Sequence, residues 1–304
     1  MNWTKKLQLG ALASIYLVTP SAMAEHTPHR GGAPAHPVRL IEPKTAKGSE
    51  VPAPLSPTVP PFGKEDAKKH GLSYLLSQRT TNYYHASDSQ AKNMDLLAKR
   101  LNNTLVKPGQ VFSYYKTVGP YTAQNGFHWG RAFQGDKIVP SMGGGVCQGA
   151  STLYSALLRT NLQIVERHQH SLTVPYLPPG EDATVASTYL NFRFKNTDKK
   201  PVLITAKTDA EKKWLTVAVW GAHEPQRITV RHKTLKVYPY PTKVRNNPKL
   251  PAGTTKLLFP GQSGVKVDTW VELSTPSGVQ KRDIGIDTYR PSPRIYETNA
   301  KHTD

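Results

Sequence analysis

The chain contains a single cysteine, Cys147, and its surroundings are those of a nucleophile. Three glycines precede it in the segment GGGVCQ, and the apolar spacing that follows predicts a helix that begins at or just before the cysteine. The unpaired amides at a helix N-terminus concentrate positive partial charge, which stabilises a thiolate. The backbone amides of Gly143, Gly144 and Gly145 and the side chain of Gln148 could bind the oxygen of a substrate carbonyl. The segment therefore predicts a nucleophile beside an oxyanion-binding loop.

A nucleophilic thiol needs a general base, and two histidines follow the predicted helix in the segment ERHQHS. His168 and His170 lie 21 and 23 residues after Cys147, at the start of a run that favours a strand. Residues two apart on a strand share a face. We expect His170 to be the base, with His168 as the alternative. Asp182 is the expected orienting carboxylate, and Glu166 is the second candidate.

The segments around these residues indicate an α+β fold, in which the helix that starts at the Gly-rich loop packs on an antiparallel sheet. The segment DSQAKNMDLLAKRLNN predicts a helix with Ser87 or Asp88 as its N-cap. The runs PVLITAKT and WLTVAVWG, separated by DAEKK, predict an antiparallel hairpin. The alternating sequence over 250–295 predicts a small all-β extension, which we expect to dock on the main body because its own core would be small.

The first 24 residues have the pattern of a secretory signal peptide: a positive start, an apolar stretch, and the cleavage triplet Ala22-Met23-Ala24. No apolar run reaches the roughly 18 residues of a membrane-spanning helix. We expect an exported protein, periplasmic or extracellular, that does not span the membrane after signal cleavage. The predicted regions are a signal peptide at 1–24, a Pro-rich disordered tether at 25–62, an α+β domain at 63–222, a linker at 223–249, and a small β extension and tail at 250–304.

The composition limits the partners and cofactors. Lys and Arg total 40 against 21 Asp and Glu, which gives a formal net charge of +19. This charge suits a cell-wall polymer or another anionic envelope polymer. We expect no nucleic-acid partner, because no recognition motif accompanies the charge. One cysteine excludes intramolecular disulfides, iron–sulfur clusters and cysteine-rich zinc sites, and we expect neither a cofactor nor a metal.

The segment GGGVCQGASTLYSALLRTNLQIVERHQHSLTVPYLPPGEDATV resembles the VanW family, which was first named from a glycopeptide-resistance gene cluster. The likeness extends back through LNNTLVKPGQVFSYYKTVGPYTAQNGF and forward through YLNFRFKN and PVLITA, over roughly residues 76–221. The resemblance implies an exported or surface-anchored protein associated with the cell wall. It also implies that the family's pattern includes Cys147, Gln148, Glu166, Arg167, His168, His170 and Asp182, among which we assign Glu166 and Arg167 to binding.

Export, the wall-linked family and a thiol nucleophile together indicate a Cys-His acyltransferase or amidase that acts on cell-wall peptide. The alternative is a non-catalytic envelope or cell-wall binding protein in which Cys147 is structural. Free cysteines are often buried and behave as small apolar side chains. In that case the glycine loop would bind a carboxylate or a sugar through its amides. Thiol reactivity distinguishes the two interpretations, because a buried structural cysteine reacts only after unfolding.

Overall fold

The structure is a computed structural model, and it describes residues 59–134 and 137–299 of the 304-residue chain. The predicted signal peptide and nearly all of the predicted tether lie outside the described residues. Within this part of the chain there are four α-helices and fifteen strands, so the α+β prediction is confirmed in broad terms and strands dominate. None of the described helices is long and apolar enough to cross a membrane.

The helices are α1 (Lys64–Lys69), α2 (Asp88–Leu101), α3 (Tyr114–Val118) and α4 (Val146–Leu157), with a 3-10 helix at Ala123–Asn125. The strands before residue 225 are β1 (Tyr74–Asn82), β2 (Thr104–Val106), β3 (Val111–Ser113), β4 (Trp129–Gln134), β5 (Lys137–Met142), β6 (Gln163–Glu166), β7 (Arg193–Lys195), β8 (Val202–Asp209) and β9 (Trp214–Gly221). The later strands are β10 (Ile228–Tyr238), β11 (Thr242–Asn246), β12 (Thr255–Gln262), β13 (Gly264–Thr275), β14 (Gly278–Tyr289) and β15 (Ser292–Thr298).

An antiparallel sheet with the strand order β1-β9-β8-β2 forms the centre of the region before residue 222. The predicted hairpin is confirmed as β8 and β9, which pair from Leu203 opposite Trp220 to Asp209 opposite Trp214. Helices α2 and α4 pack on this sheet. The apolar faces of both helices, which include Leu97 and Leu153, are fully buried. Burial of such side chains is the main source of stability for a layered fold.

Helix α2 begins as the sequence predicts. Ser87 is its N-cap, and the Ser87 side chain accepts a hydrogen bond from the backbone N–H of Gln90. The Gln90 side chain in turn accepts from the Ser87 N–H, which completes a capping box. Met94, Leu97 and Leu101 then follow at helical spacing and are buried.

The two candidate histidines lie in an irregular segment and not on the predicted strand. Strand β6 ends at Glu166, before His168 and His170. The backbone N–H of His170 donates to the Asp182 carboxylate over 2.8 Å, and the carbonyl of His168 accepts from the N–H of Thr184 over 2.7 Å. These backbone groups are therefore hydrogen-bonded to a neighbouring loop. The segment does not need hydrogen bonds to a neighbouring strand.

Residues 223–249 are not simply a linker, because β10 and β11 lie within them. Two three-stranded sheets form the region after residue 227, with the orders β10-β13-β14 and β11-β15-β12. Pro239 and Pro241 fall between β10 and β11 and interrupt neither strand. All side chains of β10 are exposed or half-buried, and all of those of β11 are exposed. A strand with no buried face lacks the apolar alternation by which strands are predicted, which explains the error.

Buried Asn93 on α2 fixes the glycine loop that precedes α4. Its Nδ2 donates to the carbonyl oxygens of His128 and Gly144 over 3.0 and 2.9 Å, and its Oδ1 accepts from the N–H of His128 over 2.8 Å. A fully buried side-chain amide with three backbone partners connects the helix to the start of the candidate site.

We predict that Asn93→Ala lowers the free energy of unfolding by about 2–3 kcal/mol, because it removes the Asn93 partner of the Gly144 carbonyl and of the His128 N–H and one of the two donors to the His128 carbonyl. Chemical denaturation measures the change, and Lys92→Ala, at an exposed position one residue earlier on the helix, is the matched control. Equal effects of the two substitutions would contradict the prediction.

Candidate active site

The three glycines before the cysteine shape the turn from β5 into α4. Gly143 and Gly145 have φ values of +75° and +109°, in the left-handed region that other residues rarely adopt. A Cβ at Gly144 would lie 2.8 Å from the Cα of Gly130, so two backbone segments are in direct contact there. Glycine is thus required at these positions for the course of the backbone.

Two of the glycine amides are already used within the loop. The N–H of Gly143 donates to the carbonyl of His128, and the N–H of Gly144 donates to the carbonyl of Ser141. In the part of the chain that the structure describes, the N–H groups of Gly145 and Cys147 have no acceptor. Of the three glycine amides that the sequence predicts as oxyanion donors, only that of Gly145 therefore remains free, together with the amide of Cys147.

Cys147 is the second residue of α4 and is half-buried. Its Sγ lies 3.3 Å from the carbonyl oxygen and 3.4 Å from the amide nitrogen of Val185. The Cys147 thiol also lies close enough to the imidazole of His170 to raise the pKa of that histidine. The side chain therefore has a histidine partner and is accessible, in the position that the sequence predicts at a helix start.

Gln148 does not face the thiol. Its side-chain amide donates to Thr81 Oγ1 over 3.0 Å and to the carbonyl of Asn82 over 2.7 Å. The side chain is buried, and it attaches the first turn of α4 to strand β1. The Gln148 side chain is therefore not available as the additional oxyanion donor that the sequence predicts.

The imidazole of His170 connects Cys147 to Asp182. Its Nδ1 lies 2.5 Å from Asp182 Oδ2, an oxygen that also accepts from the backbone N–H of His170. A carboxylate on Nδ1 fixes the ring orientation and leaves Nε2 for the thiol. Cys147, His170 and Asp182 thus follow one another in the order thiol, imidazole and carboxylate.

The Asp182 carboxylate is almost fully buried, with 1 % of its side chain exposed. Oδ2 faces His170, while Oδ1 accepts from Arg167 Nη2 over 3.0 Å and from the hydroxyl of Tyr289. Burial raises the pKa of this carboxyl. The hydrogen bond from His170 and the positive charges of His170 and Arg167 outweigh burial and lower the pKa below its ordinary value. Asp182 is therefore held as the carboxylate.

The pKa of His170 is raised to about 9. Burial lowers it, but the hydrogen bonds to Asp182 and Cys147 and the negative charge at both partners outweigh burial. The imidazolium form is thus favoured at neutral pH. A protonated histidine beside a cysteine stabilises the thiolate, which is the reactive form.

His168 and Glu166 form a separate pair. His168 Nε2 lies 3.1 Å from Glu166 Oε1, and the same oxygen accepts from the backbone N–H of Asn191. Arg193 Nη1 lies 3.7 Å from the other carboxylate oxygen of Glu166. With 41 % of its side chain exposed, His168 contacts neither Cys147 nor Asp182 among the described residues. The geometry therefore favours His170 over His168 and Asp182 over Glu166.

Arg167 is a structural partner of the carboxylates and is not free for a substrate. Its Nη1 lies 2.7 Å from both oxygens of Asp287, and its Nε donates to the backbone carbonyl of Asp182 over 2.7 Å. Its guanidinium also stacks over the ring of Tyr154. Every nitrogen of the guanidinium is thus engaged, so the predicted binding role does not fit the geometry.

Asp287 and Tyr289 on β14 contact the site but are not predicted from the sequence. They lie more than 100 residues after Asp182 along the chain. They occur in the segment DIGIDTY, which has no motif that signals a site. Only the pairing of distant segments reveals them.

The aromatic side chains near the glycine loop and near Val185 differ in burial. Tyr114 and Phe127 are buried in the core, and Trp129 remains 62 % exposed. Tyr189, four residues after Val185, is 92 % exposed. Two cavities in the described residues lie elsewhere, and Cys147 lines neither of them.

Comparisons with known proteins identify two regions. Residues 89–220 match the family described as VanW like protein, and residues 229–298 match the G5 domain. The uncharacterized protein YoaR of Bacillus subtilis (strain 168) is 39% identical over 138 residues, which make up 45% of this chain and 46% of the relative. The vancomycin B-type resistance protein VanW of Enterococcus faecalis (strain ATCC 700802 / V583) is 28% identical over 172 residues, which make up 52% of this chain and 61% of that protein.

The alignments cover less than two thirds of either relative. Among solved structures, an IgA1 protease G5 domain has 26% sequence identity and a TM-score of 0.18, and it covers 26% of this chain and 96% of its own.

The raised pKa of His170 makes stability depend on pH. Between the ordinary pKa of 6.5 and about 9, the folded protein holds a proton that the unfolded chain has released. The stabilisation is fully present below pH 6.5 and is lost as the pH rises through 9. We predict that the difference in unfolding free energy between the wild type and His170→Gln shrinks by roughly 3 kcal/mol from pH 6 to pH 10.

Urea denaturation at a series of pH values measures this difference, with His168→Gln as the control. A difference that does not change with pH would contradict the prediction.

Proposed function

We propose that this chain, a VanW-like protein over residues 89–220 with a G5 domain at 229–298, is an exported cell-envelope protein that carries out acyl transfer or amide hydrolysis on cell-wall peptide. The observation that carries the proposal is the alignment of Asp182, His170 and Cys147 at the N-terminus of α4. A structural cysteine has no need of a buried carboxylate–histidine pair directed at its sulfur.

The chemistry follows from the positions of these groups. The Cys147 thiolate attacks the carbonyl carbon of a peptide amide, and the N–H groups of Gly145 and Cys147 bind the oxyanion that forms. The C–N bond then breaks, and the amine leaves with a proton from His170, so that a thioester remains on the sulfur. His170 next removes a proton from water or from a second amine, which attacks the thioester and releases an acid or a new amide and the thiolate.

Family context supports the envelope as the site of action. VanW and G5 families are typically extracellular or cell-wall associated, and G5 domains are associated with binding cell-wall glycan or peptidoglycan. One similar protein is named for vancomycin resistance. Wall peptide is an amide-containing polymer of that location, and the basic charge of the chain favours attachment to an anionic wall.

We predict that iodoacetamide labels the native protein, and that His170→Ala slows the labelling at pH 7 by about ten-fold or more, because the imidazolium stabilises the thiolate. The only thiol in the chain is Cys147, so mass spectrometry assigns the label without ambiguity. His168→Ala removes a histidine two residues away and should leave the rate within about two-fold.

Labelling that occurs only after denaturation would remove Cys147 as a nucleophile and favour the binding protein. If native labelling succeeds, incubation with purified muropeptides tests the reaction itself. The wild type should release an amine or exchange a peptide bond, and Cys147→Ala should not. A reactive thiol with no turnover of any muropeptide would contradict wall peptide as the substrate.

We further predict salt-sensitive binding to the wall, in which exposed bases of the G5 domain take part. Lys233 on β10 and Arg245 on β11 are both exposed. Replacing both by Glu should weaken binding to isolated cell walls roughly ten-fold or more at low salt, and the difference should shrink at high salt. Sedimentation with cell walls measures the binding, and Lys99→Glu with Lys116→Glu is the matched control in the VanW-like region. An equal loss in both double variants would show a general charge effect and contradict a specific role of the G5 domain.

A further inference from the structure

We infer that the G5 domain is a structural part of the candidate active site, in which Tyr289 and Asp287 are positioning residues that fix the Asp182 carboxylate and, through it, His170. This inference rests on the proposed role of Cys147, His170 and Asp182.

The hydroxyl of Tyr289 reaches the carboxylate from strand β14. Its oxygen accepts from the backbone N–H of Gly180 over 2.8 Å, and its single proton is directed to Asp182 Oδ1. Tyr289 is almost fully buried, and burial together with the negative charges of Asp182 and Asp287 raises its pKa far above the ordinary value. The hydroxyl therefore remains a proton donor, and it fixes which carboxylate oxygen faces away from His170.

Asp287 acts on the same carboxylate through Arg167. Both oxygens of Asp287 accept from Arg167 Nη1, while Nη2 of the same guanidinium reaches Asp182 Oδ1. One arginine placed between two carboxylates carries one positive charge for two negative ones. Asp287 thereby orients the guanidinium, and its own negative charge limits how far the positive charge of Arg167 offsets the charge of Asp182.

The neighbouring residues of the same loop are held independently by the G5 domain. Glu181 Oε1 lies 3.0 Å from His232 Nε2 on β10, while Arg159 and Ser155 from the VanW-like region hold Glu181 Oε2. A Cβ at Gly180 would lie 2.1 Å from Thr269 Oγ1 on β13, so the loop is in close contact with the sheet. Residues 180–182 thus contact β10, β13 and β14.

The segment that carries His170 is fixed on both sides to β14 and to the residue that follows this strand. Gln169 exchanges two hydrogen bonds with the backbone of Thr288, at 2.7 and 3.3 Å. The carbonyl of Ser171 accepts from the N–H of Arg290 over 2.7 Å. The histidine between them has Asp182 as its own partner. Both halves of the His–Asp pair therefore depend on the same strand.

The charged and titratable groups around the pair come from both regions. Asp182 and His170 face, from the VanW-like region, Cys147, Tyr154, Arg167 and Tyr176, and from the G5 domain, Asp287 and Tyr289. Asp287 and Tyr289 can be changed without removing the thiol, the histidine or the carboxylate, which makes them suitable for a test.

The test uses the full chain with Asp287→Asn, which preserves shape and removes one negative charge. The charge of Arg167 is then less balanced, so the imidazolium is less stabilised. We expect the titration of the His170 ring, followed by NMR, to move to a pH about 0.5 unit lower or more, and alkylation of Cys147 at pH 7 to slow several-fold. Asp283→Asn is the matched control, since Asp283 lies on the same strand, is 74% exposed and pairs with Lys281. It should leave both readouts unchanged.

Tyr289→Phe is the second variant, in case Asp287→Asn does not fold. It removes only the oxygen that joins Gly180 to Asp182, and we expect a several-fold slower alkylation in a variant that keeps the wild-type circular-dichroism spectrum. Folded variants with the wild-type titration and alkylation rate would overturn the inference.

The two proposals fail in different ways. If the wild type turns over no muropeptide, the proposed function fails, while a shifted His170 titration in Asp287→Asn still supports the positioning role. If the wild type is active and Asp287→Asn matches it in titration and in kcat, only the positioning role fails.

Discussion

The buried carboxylate of Asp182 is the interaction on which the rest of the site depends. A carboxylate removed from water costs several kcal/mol unless hydrogen bonds replace its hydration. Here the ring and backbone of His170 satisfy one oxygen, and Arg167 and Tyr289 satisfy the other. Because these donors come from segments far apart in the chain, the charge is stable only when the segments meet. The same arrangement leaves one nitrogen of His170 directed at Cys147, so a requirement of folding also sets the geometry for chemistry.

The start of α4 supplies the other half of the site. A thiol at a helix start benefits from the unpaired amides there, and the left-handed glycines allow the chain to turn sharply from β5 into the helix. Gln148, which the sequence places beside the thiol, instead anchors this turn to β1. Val185 contacts the sulfur through both its backbone carbonyl and its amide. A thiolate keeps the amide and imidazolium donors and gives up only the carbonyl contact, so ionisation requires little rearrangement.

The G5 domain contacts the VanW-like region at the residues of the candidate site. Its two three-stranded sheets have many exposed side chains and few buried ones, so they gain little from a core of their own. Side chains of these sheets also form hydrogen bonds and ion pairs with the VanW-like region. Those contacts fall on Glu181, Asp182 and the residues that flank His170. The G5 domain thus also holds His170 and Asp182 together, which gives a physical route by which the proposed wall attachment and the proposed thiol chemistry could depend on each other.

The sequence by itself determined the position of Cys147 at the start of a helix, the capped helix α2 and the hairpin of β8 and β9, because local periodicity, capping and turn residues encode each of these. It also indicated His170 and Asp182, but it left His168 and Glu166 as alternatives, since spacing cannot show which side chains meet. Only the tertiary structure separated them, because the pairing of His170 with Asp182 is made between two irregular loops. Tyr289 has no local signal at all. Its role, like the true extent of the G5 strands, arises from contacts between distant segments, and such contacts leave no periodic pattern in the chain.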